Sequence, residues 1–187
     1  MRLLRKRVAA GFTLGEVLVA LLLLAVGILG ALGTQVAALR TRQESGLMSR
    51  GVHLAASLAE RMRANAAQMR LGDAINPYLQ LRYQAGEGAP PRAPADCYGA
   101  GRCDSAQLAR FDIDDTVAAL HAGFPGGRIA VCRDTVVWND AGKALAWECA
   151  GSAGAPVVIK LGWHVRRAAG AAPPAPAVAV MLGTGAP

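Results

Sequence analysis

The feature that most constrains this chain is a run of 23 residues without a charged side chain, from Val17 to Leu39. A helix of that length spans about 35 Å, and the hydrocarbon core of a membrane is about 30 Å thick. The run is also longer than the apolar core of about 7 to 15 residues in a secretory signal that is removed after export. The sequence therefore predicts a membrane-spanning helix that is retained.

Basic residues before this run predict its orientation. Arg2, Arg5, Lys6 and Arg7 all precede the first acidic residue, Glu16. Positively charged segments next to a membrane span remain in the cytoplasm. We therefore expect a cytoplasmic N-terminus, a single pass through the membrane and an exported remainder.

The junction between the basic segment and the apolar run reads GFTLGE, beginning at Gly11. A charged side chain within lipid costs on the order of 2.5 to 3.5 kcal/mol, so the Glu16 carboxylate needs a partner. The next basic residue downstream, Arg40, is between about six and seven helical turns away. Upstream, Arg7 could serve if the leader stayed attached. Cleavage after Gly11 would instead create an amine on Phe12, about one helical turn from Glu16 in the same subunit or in a neighbour.

A short basic leader, the GFTLGEV motif and an uninterrupted apolar helix resemble the class III signal of type IV pilins and of type II secretion pseudopilins. The resemblance implies that a prepilin peptidase in the inner membrane removes residues 1–11, cutting between Gly11 and Phe12, and methylates the new Phe12 amine. It also implies that Glu16 pairs with the N-terminal amine of a neighbouring subunit during filament assembly. Gly15 departs from the pattern, because the family usually carries a larger apolar residue there.

Helical periodicity continues beyond the apolar run. Apolar residues recur on one face and fill an adjacent stripe: Leu47, Leu54, Leu58 and Met62, then Val52, Ala55, Ala59, Ala66 and Met69. We predict one helix from Phe12 to about Arg70. Its first half, residues 12–39, would lie in the membrane or the filament core, and its second half, residues 40–70, would be amphipathic.

Residues 71–187 are expected to form an exported globular head. Strand patterns cover Arg128–Arg133, Pro156–Arg166 and Ala177–Leu182, and a turn at residues 139–142 separates two further short strands. We expect an antiparallel sheet of three to five strands. The predicted architecture is an α+β, type IV pilin-like fold in which the long N-terminal helix packs on this small sheet.

Two details of the head follow from local patterns. In the second strand, alternation predicts that the face containing Val157 packs and that the face containing Lys160 is wet. The segment Ser105–His121 has the spacing of one or two short helices. Three aspartates in that segment are assigned to a helix N-terminus, namely Asp112, Asp114 and Asp115.

All four cysteines, Cys97, Cys103, Cys132 and Cys149, follow the predicted span and so belong to the exported, oxidising compartment. An even number there predicts disulfides, and three pairings are possible. We favour Cys97 with Cys103 and Cys132 with Cys149, because each pair closes its own short loop. A zinc site would normally show pairs of cysteines with two to four residues between them, and this chain lacks that spacing.

The sequence contains no pattern typical of catalysis. Its three histidines are scattered, no Gly-x-Ser-x-Gly motif occurs, and no glycine-rich loop follows a strand. Removing the leader takes away four of the 20 basic residues and leaves 16 against 13 acidic ones, a formal charge of about +3 instead of +7. That balance does not support direct nucleic-acid binding. We predict a protein that is not an enzyme and that binds neither a cofactor nor a metal.

Several later stretches resemble the PilV-type minor pilins, also called type IV pilus modification proteins. The similar stretches are Ala55–Asn65, Cys103–Leu120, Phe124–Val131 and Val157–Trp163. The resemblance implies partners in other minor pilins, the major pilin and the inner-membrane assembly platform. Together they would form a complex that initiates pilus assembly and can occupy the fibre tip.

Two other functions stay open at this stage. A minor pseudopilin of a type II secretion system shares the leader, but it is generally shorter and lacks the second helical segment with its cysteines. A monomeric membrane-anchored adhesion or binding protein would keep the apolar span without needing Glu16.

Overall fold

The computed structural model describes residue 11 and residues 13–86, 97–98, 102–164 and 175–183. The basic part of the leader and Phe12 lie outside the described residues. The chain divides into two units, Met1–Gln43 and Glu44–Pro187, and each is considered by itself.

The first helix, α1, comprises Leu14–Ala64. Leucine and alanine, both strong helix formers, dominate its first half, and no proline interrupts it. Within the first unit, every described residue is exposed. This helix is long and apolar enough to cross a membrane by length and composition.

The end of α1 differs from the prediction of one helix to about Arg70. The helix ends at Ala64, and after Asn65 a separate short helix, α2, covers Ala66–Met69. The Asn65 amide group donates hydrogen bonds to the Ser105 carbonyl at 2.8 Å and to the Tyr78 hydroxyl at 3.2 Å. Asparagine side chains that form hydrogen bonds outside the helix favour non-helical backbone geometry. At Asn65, the bonds to Ser105 and Tyr78 accompany the end of α1.

The other elements belong to the second unit. They are a short 3₁₀ turn at Tyr78–Gln80, β1 at Arg82–Gln84, α3 at Ser105–Gly123, β2 at Arg128–Arg133, β3 at Trp138–Asn139, β4 at Ala144–Leu145, β5 at Val157–Gly162 and β6 at Val178–Leu182. Four strands form an antiparallel sheet in the order β1-β2-β5-β6, and β3 pairs with β4 in a separate hairpin. A long N-terminal helix with a small antiparallel sheet confirms the predicted α+β class.

One apolar cluster of the second unit takes side chains from α1, α3 and the sheet. On α1 its buried members are Leu47, Ala55, Leu58, Ala59 and Met62. Leu54 is partly buried against this cluster, as the periodicity predicts. Val52, assigned to the adjacent stripe, is exposed instead.

The beginning of α3 corrects the role assigned to three aspartates. Asp104 is the N-cap: its carboxylate accepts from the Gln107 N–H at 2.7 Å, and its own N–H donates to the Gln107 side chain at 3.0 Å. This reciprocal pair is a capping box, which satisfies two of the free donors at a helix start. Asp112, Asp114 and Asp115 lie in the middle of α3, so the assignment of these residues to a helix N-terminus was wrong.

The face of β5 that contains Lys160 corrects a second prediction. All six residues of β5 are buried, and Lys160 is fully buried rather than wet. The segment between β2 and β5, residues 134–156, contacts this face: Lys160 Nζ donates to the Asp134 carboxylate and to the Glu148 carbonyl. Two residues of the predicted strand, 165 and 166, lie outside the described part.

Candidate assembly site

The junction at the start of α1 is organised by one threonine. The Thr13 N–H and hydroxyl both donate to Oε2 of Glu16, at 2.9 and 3.1 Å. In return the Glu16 N–H approaches the Thr13 hydroxyl oxygen at 3.3 Å. Thr13 and Glu16 therefore form a capping box, a T-x-x-E pattern that was not among the sequence predictions.

The two oxygens of Glu16 differ in their surroundings. Both bonds from Thr13 end on Oε2, and within the described residues no hydrogen bond reaches Oε1. A carboxylate accepts up to about four hydrogen bonds, so the group retains capacity for a further donor. Gly11 is exposed on the other side of the junction, and its neighbour Phe12 lies outside the described residues.

The apolar surface that follows this junction is continuous. Large side chains between residues 17 and 39 are at least 47% exposed, with Leu23 at 67% and Leu29 at 69%. Burying one such side chain is worth about 1.5 to 3 kcal/mol. A surface of this extent is typical of a segment that contacts lipid or other apolar helices.

The structure joins Cys97 to Cys103 and Cys132 to Cys149, the pairing that the short loops favour. The first bridge closes a loop whose Tyr98 ring packs edge-on against Phe111 of α3, with ring centroids 4.7 Å apart. The second bridge connects β2 to the 134–156 segment. Both disulfides therefore attach loops to regular elements of the head.

A buried ion pair holds the same segment against the sheet. Asp134 and Lys160 are both fully buried, and the Lys160 ammonium lies 2.5 Å from Oδ2 of Asp134. The other carboxylate oxygen accepts from the backbone N–H groups of Val136 at 3.0 Å and Ala150 at 3.2 Å. Burial alone raises the pKa of Asp134, but these hydrogen bonds stabilise the carboxylate and bring the pKa below its ordinary value.

A second polar cluster connects α1, the 3₁₀ turn and α3. The Tyr78 hydroxyl donates to Asp112 at 2.7 Å, and Arg61 contacts Asp112 at 3.4 Å and Asp115 at 2.8 Å. Burial, followed by the neighbouring Asp112 carboxylate, raises the pKa of Tyr78 well above its ordinary value. The phenol therefore remains a donor, and the cluster fixes the position of α3.

In the described part of the chain, every buried side-chain nitrogen and oxygen atom has a hydrogen-bond partner. The described residues contain no group of three or more His, Cys, Asp or Glu side chains that could hold a metal ion. The two buried clusters had no direct signal in the sequence, because the side chains that pair within them are 26 or more residues apart. An ionisable residue within an otherwise apolar face is the only indication that could have been read from the pattern.

Comparison with known proteins gives one match. Residues 33–114 match the family model described as Tt1218-like, type IV pilin Tt1218. The matched range covers a little under half of the chain, from within α1 to the middle of α3. No curated protein matches the chain significantly. No solved structure matches it significantly either.

The family match agrees with the architecture. Type IV pilins are structural proteins rather than enzymes, and the family implies assembly with other pilins in a membrane pilus system. One long apolar N-terminal helix is consistent with a membrane-anchored pilin. Together, the matched residues, the long helix and the small antiparallel sheet support a type IV pilin.

Proposed function

We propose that this chain is a minor pilin of the type IV pilus. The observation that carries the proposal is the exposed apolar part of α1, which begins at a Gly-Phe junction with Glu16 held one turn further on. A pilin uses such a helix first in the membrane and then among the helices of the filament. The match of residues 33–114 to a type IV pilin family supports this assignment.

Maturation would occur at the junction. A prepilin peptidase of the inner membrane would cut between Gly11 and Phe12 and methylate the Phe12 amine. The basic leader favours a cytoplasmic N-terminus, which directs the head to the periplasm. The two disulfides are suited to that oxidising compartment.

Assembly would use Glu16 and the apolar helix together. The carboxylate would pair with the N-terminal amine of a neighbouring pilin, and burial of the apolar side chains would supply most of the association energy. The stretches similar to PilV-type proteins support a minor rather than a major pilin. In this role it would act with other minor pilins and the major pilin at the assembly platform, in the complex that initiates the pilus and can occupy its tip.

The processing step gives a direct test. Replacing Gly11 with valine is expected to block cleavage, because a branched side chain would stand next to the scissile bond. Intact-mass analysis of the membrane-extracted protein should then find the leader attached. Gly15→Ala is the matched control, since no atom lies within 4 Å of a Cβ added there, and it should be processed normally. A mature Phe12 terminus in the Gly11→Val protein would contradict the assignment.

A deletion strain separates this function from the alternatives. Loss of surface pili and twitching with normal protein secretion would indicate a type IV pilus component, whereas the opposite result would indicate a type II pseudopilin. For a monomeric anchored binding protein, Glu16→Ala should leave function intact.

A further inference from the structure

We propose that Thr13 is a positioning residue for Glu16, which it holds with one carboxylate oxygen, Oε1, directed to the N-terminal amine of a neighbouring pilin. The inference rests on the proposed function and adds a residue to it. Its basis is the asymmetric use of the carboxylate at the start of α1.

The hydrogen bonds show how the carboxylate is held. Two donors on Thr13, the backbone N–H and the hydroxyl, reach the same oxygen at 2.9 and 3.1 Å. The Glu16 backbone N–H donates to the Thr13 hydroxyl oxygen at 3.3 Å, so two hydrogen bonds hold the carboxylate and a third orients the Thr13 hydroxyl. Within the described part of the chain, Oε1 keeps its hydrogen-bonding capacity.

This restraint lowers the cost of recruiting a partner. A free glutamate side chain loses about 1.5 to 2 kcal/mol of rotamer entropy when it is immobilised. A side chain that is already held does not lose that freedom again when a second subunit binds. In apolar surroundings, the two donated bonds also reduce the cost of keeping an unpaired carboxylate near the membrane.

The arrangement is compatible with maturation. Both donors belong to Thr13, which lies after the bond between residues 11 and 12. Removing the leader therefore leaves the Thr13 N–H as a peptide amide and its hydroxyl unchanged. The restraint on Glu16 would persist in the mature subunit, where the neighbour's amine becomes its partner.

The test compares four single variants of the full chain, and the double variant of Thr13→Val with Glu16→Gln, in cells that assemble pili. Thr13→Val removes the hydroxyl while keeping the shape, and Thr13→Ser restores it. Thr34→Val is the matched control, because the Thr34 hydroxyl donates to the Ala31 carbonyl of the same helix at 2.8 Å and, among the described residues, makes no contact with a carboxylate. The fourth variant, Glu16→Gln, removes the charge. The readout is the amount of each variant in sheared pili, divided by its amount of processed protein.

We expect Thr13→Val to lower incorporation about fivefold, the size typical of losing a capping hydroxyl. Thr13→Ser and Thr34→Val should incorporate like the wild type. Combined with Glu16→Gln, Thr13→Val should cause no further loss, because its effect acts through the carboxylate. Normal incorporation of Thr13→Val, or an equal loss in the Glu16→Gln background, would overturn the inference.

The outcome for Glu16 distinguishes this inference from the proposed function. If Glu16→Gln incorporates normally, the proposed assembly role itself fails. If Thr13→Val prevents processing, side-chain couplings of Glu16, measured by NMR on the full chain in detergent micelles, decide instead. One rotamer in the wild type and averaging in Thr13→Val support the inference, and the same rotamer distribution in both overturns it.

Discussion

Among single residues, Asp134 and Lys160 form a buried ion pair whose disruption is expected to be costly. Both side chains are fully buried, and the carboxylate is completed by two backbone donors. Removing one partner of a buried ion pair typically costs about 3 to 5 kcal/mol, because the other charge is left without compensation. The pair therefore helps to hold the 134–156 segment on the sheet, together with the Cys132–Cys149 bridge.

Lys160→Met should accordingly lower the free energy of unfolding by about 3 to 5 kcal/mol. Urea titration of the full-length protein in detergent, followed by tryptophan fluorescence, measures this change. Lys143→Met is the matched control, since Lys143 and Asp140 are 3.9 Å apart and both mostly exposed, and its effect should be below about 1 kcal/mol. Equal effects of the two variants would contradict the role of the buried pair.

The same pair gives a pH dependence with a definite sign. A carboxyl with a lowered pKa in the folded state stabilises the protein above its unfolded pKa of about 3.9 and loses that contribution as the pH falls through the folded value. The wild type should therefore become less stable on acidification below about pH 4. Asp134→Asn should show a flatter decline over that range.

At the scale of elements, the contact between α1 and the sheet depends on one glycine. A Cβ at Gly51 would lie 2.7 Å from Cζ3 of Trp163, whose ring is buried against Phe124 with centroids 5.1 Å apart. Because the Trp163 ring packs against Phe124, it has little room to shift away from an added methyl group. Gly51 therefore permits a close approach, although the sequence alone marks it only as a weak helix position.

Gly51→Ala is expected to lower the free energy of unfolding by about 1 to 2 kcal/mol, because overpacking outweighs the gain in helix propensity. Gly46→Ala is the control variant, since no atom lies within 4 Å of a Cβ added at Gly46. That variant should gain up to about 1 kcal/mol from helix propensity. If urea titrations show the same increase in the free energy of unfolding for both variants, the contact between Gly51 and Trp163 is not tight.

The sequence predicted well those strands and turns whose residues show a local strand or turn pattern. The bounds of β2 agree with the predicted Arg128–Arg133, and the turn at residues 139–142 joins β3 to β4. The three-residue β1 was missed, because it is defined by pairing with β2 rather than by its own pattern. The burial of Lys160 was also missed, since the covering segment is distant in the sequence. By contrast, the capping boxes that begin at Thr13 and Asp104 could have been predicted from the sequence patterns T-x-x-E and D-x-x-Q.

In the whole molecule, the disulfides and the exposed apolar surface lie in different parts of the chain: the disulfides are in the head, and the apolar surface is on the first half of α1. The head combines one apolar cluster with two bridges, whereas the apolar part of α1 in the first unit makes its large side chains available to other surroundings. In the proposed role, the head would gain its stability on folding, and the apolar helix would be stabilised later by association with other pilin helices.

The two bridges should contribute unequally to stability. The Cys132–Cys149 bond spans 17 residues and the Cys97–Cys103 bond spans 6, so loop-closure entropy predicts about 3 and about 2 kcal/mol respectively. Replacing each pair with serines and comparing urea midpoints tests this order. A larger loss from the Cys97 and Cys103 replacements would show that chain entropy does not govern their contributions.

Mass spectrometry of this protein in filaments sheared from the cell surface would show whether it is processed and assembled as a pilin. We expect an N-terminal peptide that begins at Phe12 and carries one methyl group on its amine. Recovery only from the membrane fraction, with residues 1–11 still attached, would contradict the claim that this chain is a pilin.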